Sequence, residues 1–346
     1  MRFSCLINLS LFSIFLFVSC TKDSQSNQSW NSSDVYIVGQ QNINFPTKAT
    51  YWKNGSPVVL TDSNLVPQSI AVSGSDIYIG GWDRGAISVY YKNNIRNVLS
   101  GMIFPNAILG LTVSDGNVYL TGVSDSSANV AYWKNGIPVT INWHLGTINK
   151  AYSSGTAIAS AIAVSGTDVY AIGQIDDTIL NFGSVVPVAT YWKNGEINLL
   201  GTSAVYALPT GIAVSGSNVY ISGNKMGVLD IGGIFVLNGA DTAMYWANGV
   251  PITLGTGHTS SIFISGNDVY VSGTTIDGSA IYWKNGNPVL LATNANTKGI
   301  VVSGNDVYVA GNLWYHYGVY WKNGVVDTLC TNGSVSGIAL GNLPFK

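Results

Sequence analysis

The residues best suited to recognition are those that break the repetitive pattern of this 346-residue chain. They carry aromatic, guanidinium and imidazole groups, which stack on sugars or form hot spots at protein interfaces and also donate hydrogen bonds. The predicted ligand-binding set is Trp82, Arg84, Trp143, His144, Trp314, Tyr315 and His316. A second interpretation is that Trp82 and Trp314 only cover neighbouring sheets as local packing, and the sequence leaves both open.

The side chains that could bind metal are dispersed along the sequence. His144, His258 and His316 come from different repeats, and none has a His or Cys partner at a ligand spacing. Asp176 and Asp177 are the only adjacent carboxylates, whereas a calcium loop supplies several from one loop. We therefore expect no metal and no cofactor.

Enzyme signatures are also missing from the sequence. It contains no G-x-S-x-G elbow, no phosphate-binding loop with Gly-Lys-Ser/Thr, and no H-E-x-x-H. A glycoside hydrolase needs two carboxylates, which would have to come from Asp83, Asp176 or Asp177. The chain is predicted to be a non-enzymatic binding protein, and a carbohydrate-active hydrolase or lyase is the alternative.

Two phrases alternate along the chain and must form the scaffold that positions these residues. One is "AxYWKNG", with its Trp at Trp52, Trp133, Trp192, Trp246, Trp283 and Trp321. The other resembles "IAVSGSDIYIGG", with its Tyr at Tyr36, Tyr78, Tyr119, Tyr170, Tyr220, Tyr270 and Tyr308. Asn-Gly predicts a type I′ hairpin, and Ser-Gly-x-Asp predicts a second turn between β-branched runs. Each repeat therefore reads as four antiparallel strands, here named a to d in chain order.

The repeats predict an all-β, seven-bladed β-propeller, because strands that are apolar on both faces need cover on both sides. The residue before the first large aliphatic of strand a is always small, as inner strands that crowd together require. The chain enters at a strand b, 34–39, and ends with a strand a, 335–342, so pairing of these two strands would close the last blade.

The repeated Trp has two possible roles. Aromatic residues at one register position of a strand pack between sheets, which makes the Trp part of the scaffold. A ring of identical sugar-stacking sites is the other reading, and scaffold is favoured.

The alternation of "AxYWKNG" with a Gly-bounded strand pair resembles the HAF-type extracellular repeat of bacterial secreted proteins, over roughly residues 34–342. Its strand order also resembles that of WD-repeat propellers, without the WD dipeptide. The resemblance implies a propeller and supplies no catalytic residues.

Function should lie where the repeat is interrupted. The a–b and c–d turns are short, whereas the long insertions fall in b–c and d–a connections, which share the other face. The insertions are 40–48, 142–158, 174–187 and 224–241. This face is predicted to bind an unknown protein or glycan partner.

The N-terminus predicts an anchor. Residues 1–19 are predicted to be an apolar signal peptide, and "FVSC" at 17–20 resembles the lipobox of bacterial lipoproteins, which assigns lipidation to Cys20. An ordinary secretory signal or a short membrane anchor remain as alternatives. Residues 20–33 form a polar tether, and 34–346 form the propeller. We expect a monomer, lipid-anchored at the outer membrane or cell surface of a bacterial envelope. A net charge of −2 without a basic run excludes nucleic acid as partner.

Overall fold

The computed structural model describes residues 34–42, 47–62, 64–84, 87–99, 108–123, 130–141, 157–177, 186–200, 206–226, 228–231, 234–237, 241–314 and 316–341. In these ranges all regular structure is β-strand, which confirms the predicted all-β class. No helix capable of crossing a membrane occurs in the described part of the chain. Cys20, the predicted signal peptide and the predicted tether lie outside the described residues.

In chain order the strands are β1 (Val35–Gln41), β2 (Lys48–Lys53), β3 (Ser56–Val59), β4 (Leu65–Ser73), β5 (Asp76–Asp83), β6 (Ser88–Lys92), β7 (Ile95–Val98), β8 (Gly110–Ser114), β9 (Asn117–Val123), β10 (Val130–Lys134), β11 (Ile137–Thr140), β12 (Ala157–Ser165), β13 (Asp168–Asp177), β14 (Val186–Lys193) and β15 (Glu196–Leu199). They continue with β16 (Ala207–Ser215), β17 (Asn218–Lys225), β18 (Val228–Ile231), β19 (Ile234–Leu237), β20 (Thr242–Ala247), β21 (Val250–Ser265), β22 (Asp268–Thr275), β23 (Ala280–Lys284), β24 (Asn287–Ala292), β25 (Ala295–Ser303), β26 (Asp306–Leu313), β27 (Tyr317–Lys322), β28 (Val325–Cys330) and β29 (Gly333–Leu340).

The strands form antiparallel sheets, most of them four-stranded. Their orders are β29-β1-β2-β3, β4-β5-β6-β7, β8-β9-β10-β11, β12-β13-β14-β15 and β25-β26-β27-β28. A seven-stranded sheet, β16-β17-β20-β21-β22-β23-β24, holds two further groups of four that share β21. The first part of β21, up to Thr256, pairs with β20, and the part from Gly257 pairs with β22. The strand thus crosses from one group to the next without a loop.

The first strands of these groups form a closed ring. In order, β4, β8, β12, β16, the second part of β21, β25 and β29 each contact the next, and β29 also contacts β4. We call these the inner strands. Four-stranded antiparallel sheets around such a ring are the architecture of a β-propeller. β29 pairs with β1, so the predicted pairing of the C-terminal strand with the N-terminal one is confirmed.

Crowding of the inner strands explains the small residue at two of these positions, Gly110 and Gly299. A Cβ placed on Gly110 would lie 2.8 Å from the Cα of Ala161 in the next inner strand. On Gly299 it would lie 2.7 Å from Cγ2 of Ile338. Neither distance is possible for a real side chain, so contact between neighbouring sheets selects the small residue.

The repeated Trp side chains are part of the scaffold. Their exposed fractions are 0% for Trp52, Trp133, Trp192 and Trp246, 2% for Trp283 and 1% for Trp321. A fully buried indole has no face on which a sugar could stack. The interpretation as packing between sheets is therefore confirmed, and the ring of stacking sites is wrong.

The repeated Asp and Lys tie strand b to strand c at the Asn-Gly turns. Asp268 forms a 2.8 Å ion pair with Lys284 and accepts a 2.7 Å hydrogen bond from the side chain of Asn285. The Lys284 ammonium lies 5.3 Å from the ring centroid of Tyr270. The bond from Lys284 has the largest effect and the bond from Asn285 the next, and both lower the pKa of Asp268 below its ordinary value. The same pair recurs at Asp34, Asp76, Asp168 and Asp306.

The Asp of a Ser-Gly-x-Asp turn is expected to bond nearby backbone amides, but here the Asn of the Asn-Gly turn does so instead. Asn285 Oδ1 accepts the backbone N–H of Val269 at 2.8 Å, and φ of Asn285 is 50°. The left-handed turn brings the Asn side chain back over the adjacent strand, and the Asp is left for Lys and for the Asn amide.

Candidate binding site

Antiparallel pairing places the b–c and d–a connections at the same end of every sheet. We call this end the loop-rich face. Its b–c connections join β1 to β2, β5 to β6, β9 to β10, β13 to β14, β17 to β20, β22 to β23 and β26 to β27. Its d–a connections lead into β4, β8, β12, β16, β25 and β29. The connection 224–241 is not a plain loop, because it contains the hairpin β18–β19. The alternation of "VLDI" and "IFVL" around Gly-Gly could have indicated this hairpin.

The structure places Trp82 differently from the expectation. The motif "WDRG" interrupts the repeat and would be expected in a b–c connection, but Trp82 and Asp83 lie within β5. Trp82 pairs with Val66 of β4 and with Ser88 of β6, and its side chain is half-buried. Regular pairing continues further than the sequence suggested because Trp82 takes the register position that Gln40 and Asn312 take in their sheets. Arg84 follows the strand and is exposed.

Asp83, a candidate carboxylate for the hydrolase alternative, is held by its own sheet. Its Oδ2 accepts a 2.5 Å charge-assisted bond from Arg96. Its Oδ1 accepts the backbone N–H of Ile87 at 3.1 Å. Both carboxylate oxygens are thus engaged in fixing the β5–β6 turn, and this supports a structural role.

Trp314 is an exposed aromatic residue held in an unusual backbone conformation. Its φ is 51°, a left-handed value that is rare for a bulky residue, and 60% of its surface is accessible. Its backbone N–H donates to the carbonyl of Asn294 at 3.0 Å. His316 of the same connection is exposed, and Tyr317, the first residue of β27, is 39% exposed. Tyr315, Trp143 and His144 lie outside the described residues.

A bulge near the start of the inner strands builds the polar inner edge of this face. The extra residue is a hydroxyl residue in several sheets, and it bonds to the next inner strand. Ser160 Oγ donates to the carbonyl of Pro209 at 3.0 Å, Ser260 Oγ to that of Thr297 at 2.9 Å, and Ser336 Oγ to that of Pro67 at 2.8 Å. Thr210 and Thr259 share a 2.7 Å bond in the same way.

The pattern is broken at two bulges that flank Ser336 in the ring. The equivalent residues are Lys298 in β25 and Gln68 in β4, both longer than the Ser or Thr elsewhere. Between these strands lies a cavity of about 340 Å³, here called the inner-strand cavity. Its lining is Gly39, Gln40, Val66, Pro67, Gln68, Asn296, Lys298, Asn312, Ser334, Val335 and Ser336.

The inner-strand cavity is polar and carries one charge. Lys298 is the single ionisable residue of this described lining, and no carboxylate belongs to it. Asn312 joins β26 to β29, because its Oδ1 accepts the N–H of Val335 at 2.8 Å and its Nδ2 donates to the carbonyl of the same residue at 3.2 Å. The amide thus fixes one wall of the cavity.

Trp82 lies in β5 and Trp314 directly follows β26, in sheets that line this cavity, but neither residue is part of its lining. The cavity lies between three sheets that follow one another in the ring, those of β25, β29 and β4. Trp82 pairs with Val66 in the sheet of β4, and Trp314 follows Asn312 in the sheet of β25. The cavity residues themselves were missed. Alignment of the repeats could have found them, since Gln68 and Lys298 stand where Ser or Thr is usual.

The described titratable groups do not form a metal site. No group of three or more His, Cys, Asp or Glu side chains converges within the described ranges. His258 Nδ1 lies 3.5 Å from Asp241 Oδ2 as an isolated pair. Cys330 is half-buried, and burial raises the pKa of its thiol.

Comparisons with known proteins bear on the fold. No protein-family model and no curated protein sequence matches the chain. Among solved structures, the β-propeller domain of the Trilobed protease from Pyrococcus furiosus is 10% identical with a TM-score of 0.51, covering 85% of this chain and 93% of that one. Apo AztD from Citrobacter koseri (10%, TM-score 0.45, 91% and 100%) and extracellular domains 1-2 of Drosophila Semaphorin 1b (10%, 0.44, 81% and 84%) also match. The similarity to the Trilobed protease domain supports a β-propeller fold.

Proposed function

We propose that this chain is a non-enzymatic, seven-bladed β-propeller of the bacterial cell envelope that binds a protein or glycan partner through its loop-rich face. Seven groups of four strands around the inner ring, with β21 counted in both of its groups, support this blade number. A rigid scaffold that carries variable connections on one face is suited to recognition of a partner.

Trp314 is the observation that carries the proposal. A non-glycine residue in the left-handed region costs roughly 1–3 kcal/mol and persists where the surroundings impose it. Because 60% of the Trp314 surface is exposed, burial within the chain does little to offset this cost. Exposed Trp and Tyr are the side chains that contribute most when a partner covers them. A conformation that costs stability and presents Trp314 beside Tyr317 and His316 is explained by an interface.

The hydrolase alternative lacks support from the described residues. It needs two carboxylates, and Asp83 is bonded to Arg96 and to the β5–β6 turn. Asp176 and Asp177 lie at the end of β13, in a sheet that does not line the inner-strand cavity. The polar groups of the cavity are amides, hydroxyls and one ammonium, which suit binding better than acid–base hydrolysis.

The proposed location rests on the lipobox-like "FVSC" and its polar continuation. Cys20→Ser should move the protein from the membrane fraction to the soluble fraction and abolish incorporation of a radioactive fatty acid. Cys330→Ser is the matched control, since it removes the half-buried thiol of β28 and should leave the labelling unchanged. Equal labelling of the Cys20→Ser and parent proteins would contradict the anchor.

Three variants test the binding face. Trp314→Ala should weaken retention on a glycan array or on immobilised envelope components about fivefold or more, equivalent to roughly 1 kcal/mol. Trp314→Gly should lose binding equally but unfold at the same or a higher temperature than Trp314→Ala, since glycine adopts the positive φ without strain. Ile137→Ala is the control, because Ile137 is 69% exposed and follows the Asn-Gly turn at the opposite face.

The outcome separates the two roles of Trp314. Loss of binding with unchanged melting temperature supports the interface. A fall in melting temperature in both Trp314 variants would show that the indole serves packing. Binding that Trp314→Ala and Ile137→Ala reduce equally would move the site away from this face.

A further inference from the structure

We infer that the inner-strand cavity is a site for a small oxyanion on a polar, hydroxylated body, such as a uronic acid or a sugar phosphate, with Lys298 pairing with the anion. This inference goes beyond the proposed partner surface around Trp314. It names a separate ligand class in a cavity that the described parts of three neighbouring sheets line.

Lys298 occupies a position where the scaffold does not need it. At the same bulge, Ser160, Ser260 and Ser336 use their hydroxyls to bond the next inner strand. Thr297 already receives its bond from Ser260, and Ser336 donates to Pro67, so both neighbours of Lys298 are satisfied without it. Lys298 is exposed and forms no ion pair with any described residue.

Other lysines of the chain show the contrast. Lys53, Lys92, Lys193, Lys284 and Lys322 each pair with the Asp of their own sheet at 2.7–2.8 Å. Those pairs lie at the turns of the opposite face. The described lining of the cavity contains no carboxylate to balance the positive charge of Lys298. A bound anion would supply the negative charge.

The remaining polar groups of the cavity include both hydrogen-bond donors and acceptors. The Asn312 amide bonds the backbone of Val335, and its Nδ2 also donates to Oδ1 of Asn296 at 3.3 Å. The acceptor of Asn296 is thus used, which leaves its NH2 group for a ligand. Gln40 donates to the carbonyl of Leu65 at 3.4 Å, which leaves its Oε1 to accept from a ligand hydroxyl. Donors beside an ammonium suit an oxyanion, and an amide acceptor suits a hydroxylated body.

The cavity also has a suitable size. A volume of about 340 Å³ falls at the lower end of the range, roughly 300–1,000 Å³, that small-molecule sites occupy. One charge-assisted bond from an ammonium to an oxyanion is roughly twice as strong as a neutral bond. We therefore expect Lys298 to account for about a tenfold difference in affinity, and added salt to reduce it.

Calorimetric titration of the full-length protein in mild detergent tests the inference with three probes: D-glucuronate, D-glucose 6-phosphate and D-glucose. At least one anion should bind and glucose should bind much more weakly. The stronger of the two anions identifies whether a carboxylate or a phosphate is preferred. Lys298→Gln should weaken anion binding about tenfold, whereas Lys298→Arg, which keeps the charge, should retain most of it.

Lys134→Gln is the matched control. It removes the same charge from a lysine that lies 5.5 Å from the Tyr119 ring centroid in a sheet that does not line the cavity, so the anion affinity should not change. Binding of neither anion, equal binding of glucose, or equal affinities in Lys298→Gln and the parent protein would each overturn the inference. Trp314→Ala should leave the anion affinity intact, so this experiment and that of the partner surface can fail independently.

Discussion

Deletion of residues 333–346 is expected to abolish the soluble, folded protein. β29 pairs with β1 from Val35 to Gln41, and it also contacts the inner strands β25 and β4. Val335 is 1% exposed, and Ser336 bonds the carbonyl of Pro67. Removing the strand opens the ring on both sides and leaves β1 with an unpaired edge, which promotes aggregation. The loss should exceed about 5 kcal/mol, comparable with the whole stability of many domains.

The measurement is the soluble yield and the thermal unfolding of the purified protein. Deletion of residues 342–346 alone is the control, since it leaves every residue of β29 in place. That shorter deletion should not change the melting temperature by more than a few degrees. A protein without β29 that unfolds at the temperature of the parent would show that the ring does not depend on this closure.

Gly311→Ala is expected to destabilise the protein by at least about 3 kcal/mol. Gly311 lies in β26 opposite the bulge of β25, where the extra residue brings the partner backbone close. A Cβ on Gly311 would lie 2.1 Å from the carbonyl oxygen of Asn296 and 2.8 Å from Cζ3 of the buried Trp321. Backbone and indole are both fixed by the core, so neither can move without a shift of the sheet.

Gly337→Ala provides the comparison. Gly337 also lies at the ring of inner strands, but its nearest neighbours to an added Cβ are 3.5 Å away, an ordinary contact. This variant should be within about 1 kcal/mol of the parent, because alanine reduces the freedom of the unfolded chain at no steric cost. Chemical denaturation of both variants decides the matter. Equal stabilities would mean that the bulge can relax around a methyl group.

Several features of the scaffold could be predicted from short stretches of the sequence. The hairpin at Asn285-Gly286 was predictable because both residues take positive φ, which few other pairs tolerate. The pairing of β1 with β29 was predictable because the repeat begins and ends in mid-unit. The buried Trp was predictable because it recurs at one register position. These features are each fixed by a few adjacent residues or by the period of the repeat.

The candidate site depended on contacts that no local pattern encodes. Whether Trp82 belonged to β5 or to a connection was decided by its pairing with Val66 of β4 and Ser88 of β6. The sequence offers Asp83 as a candidate catalytic carboxylate, whereas in the fold Arg96 forms an ion pair with it.

The sequence by itself determined the repeating strands, their turns, the repeating core and the closing strand, but not the hairpin β18–β19, since the period of the hydrophobic pattern and the turn residues act over a few positions. Only the tertiary structure decided that Lys298, Gln68 and Asn312 share one cavity. Lys298 and Asn312 lie on paired strands, whereas Gln68 is far from both along the chain and meets them because closure of the ring sets the sheet of β25 beside β29 and β4. The left-handed φ of Trp314, whose N–H donates to the carbonyl of Asn294, was likewise evident only from the structure.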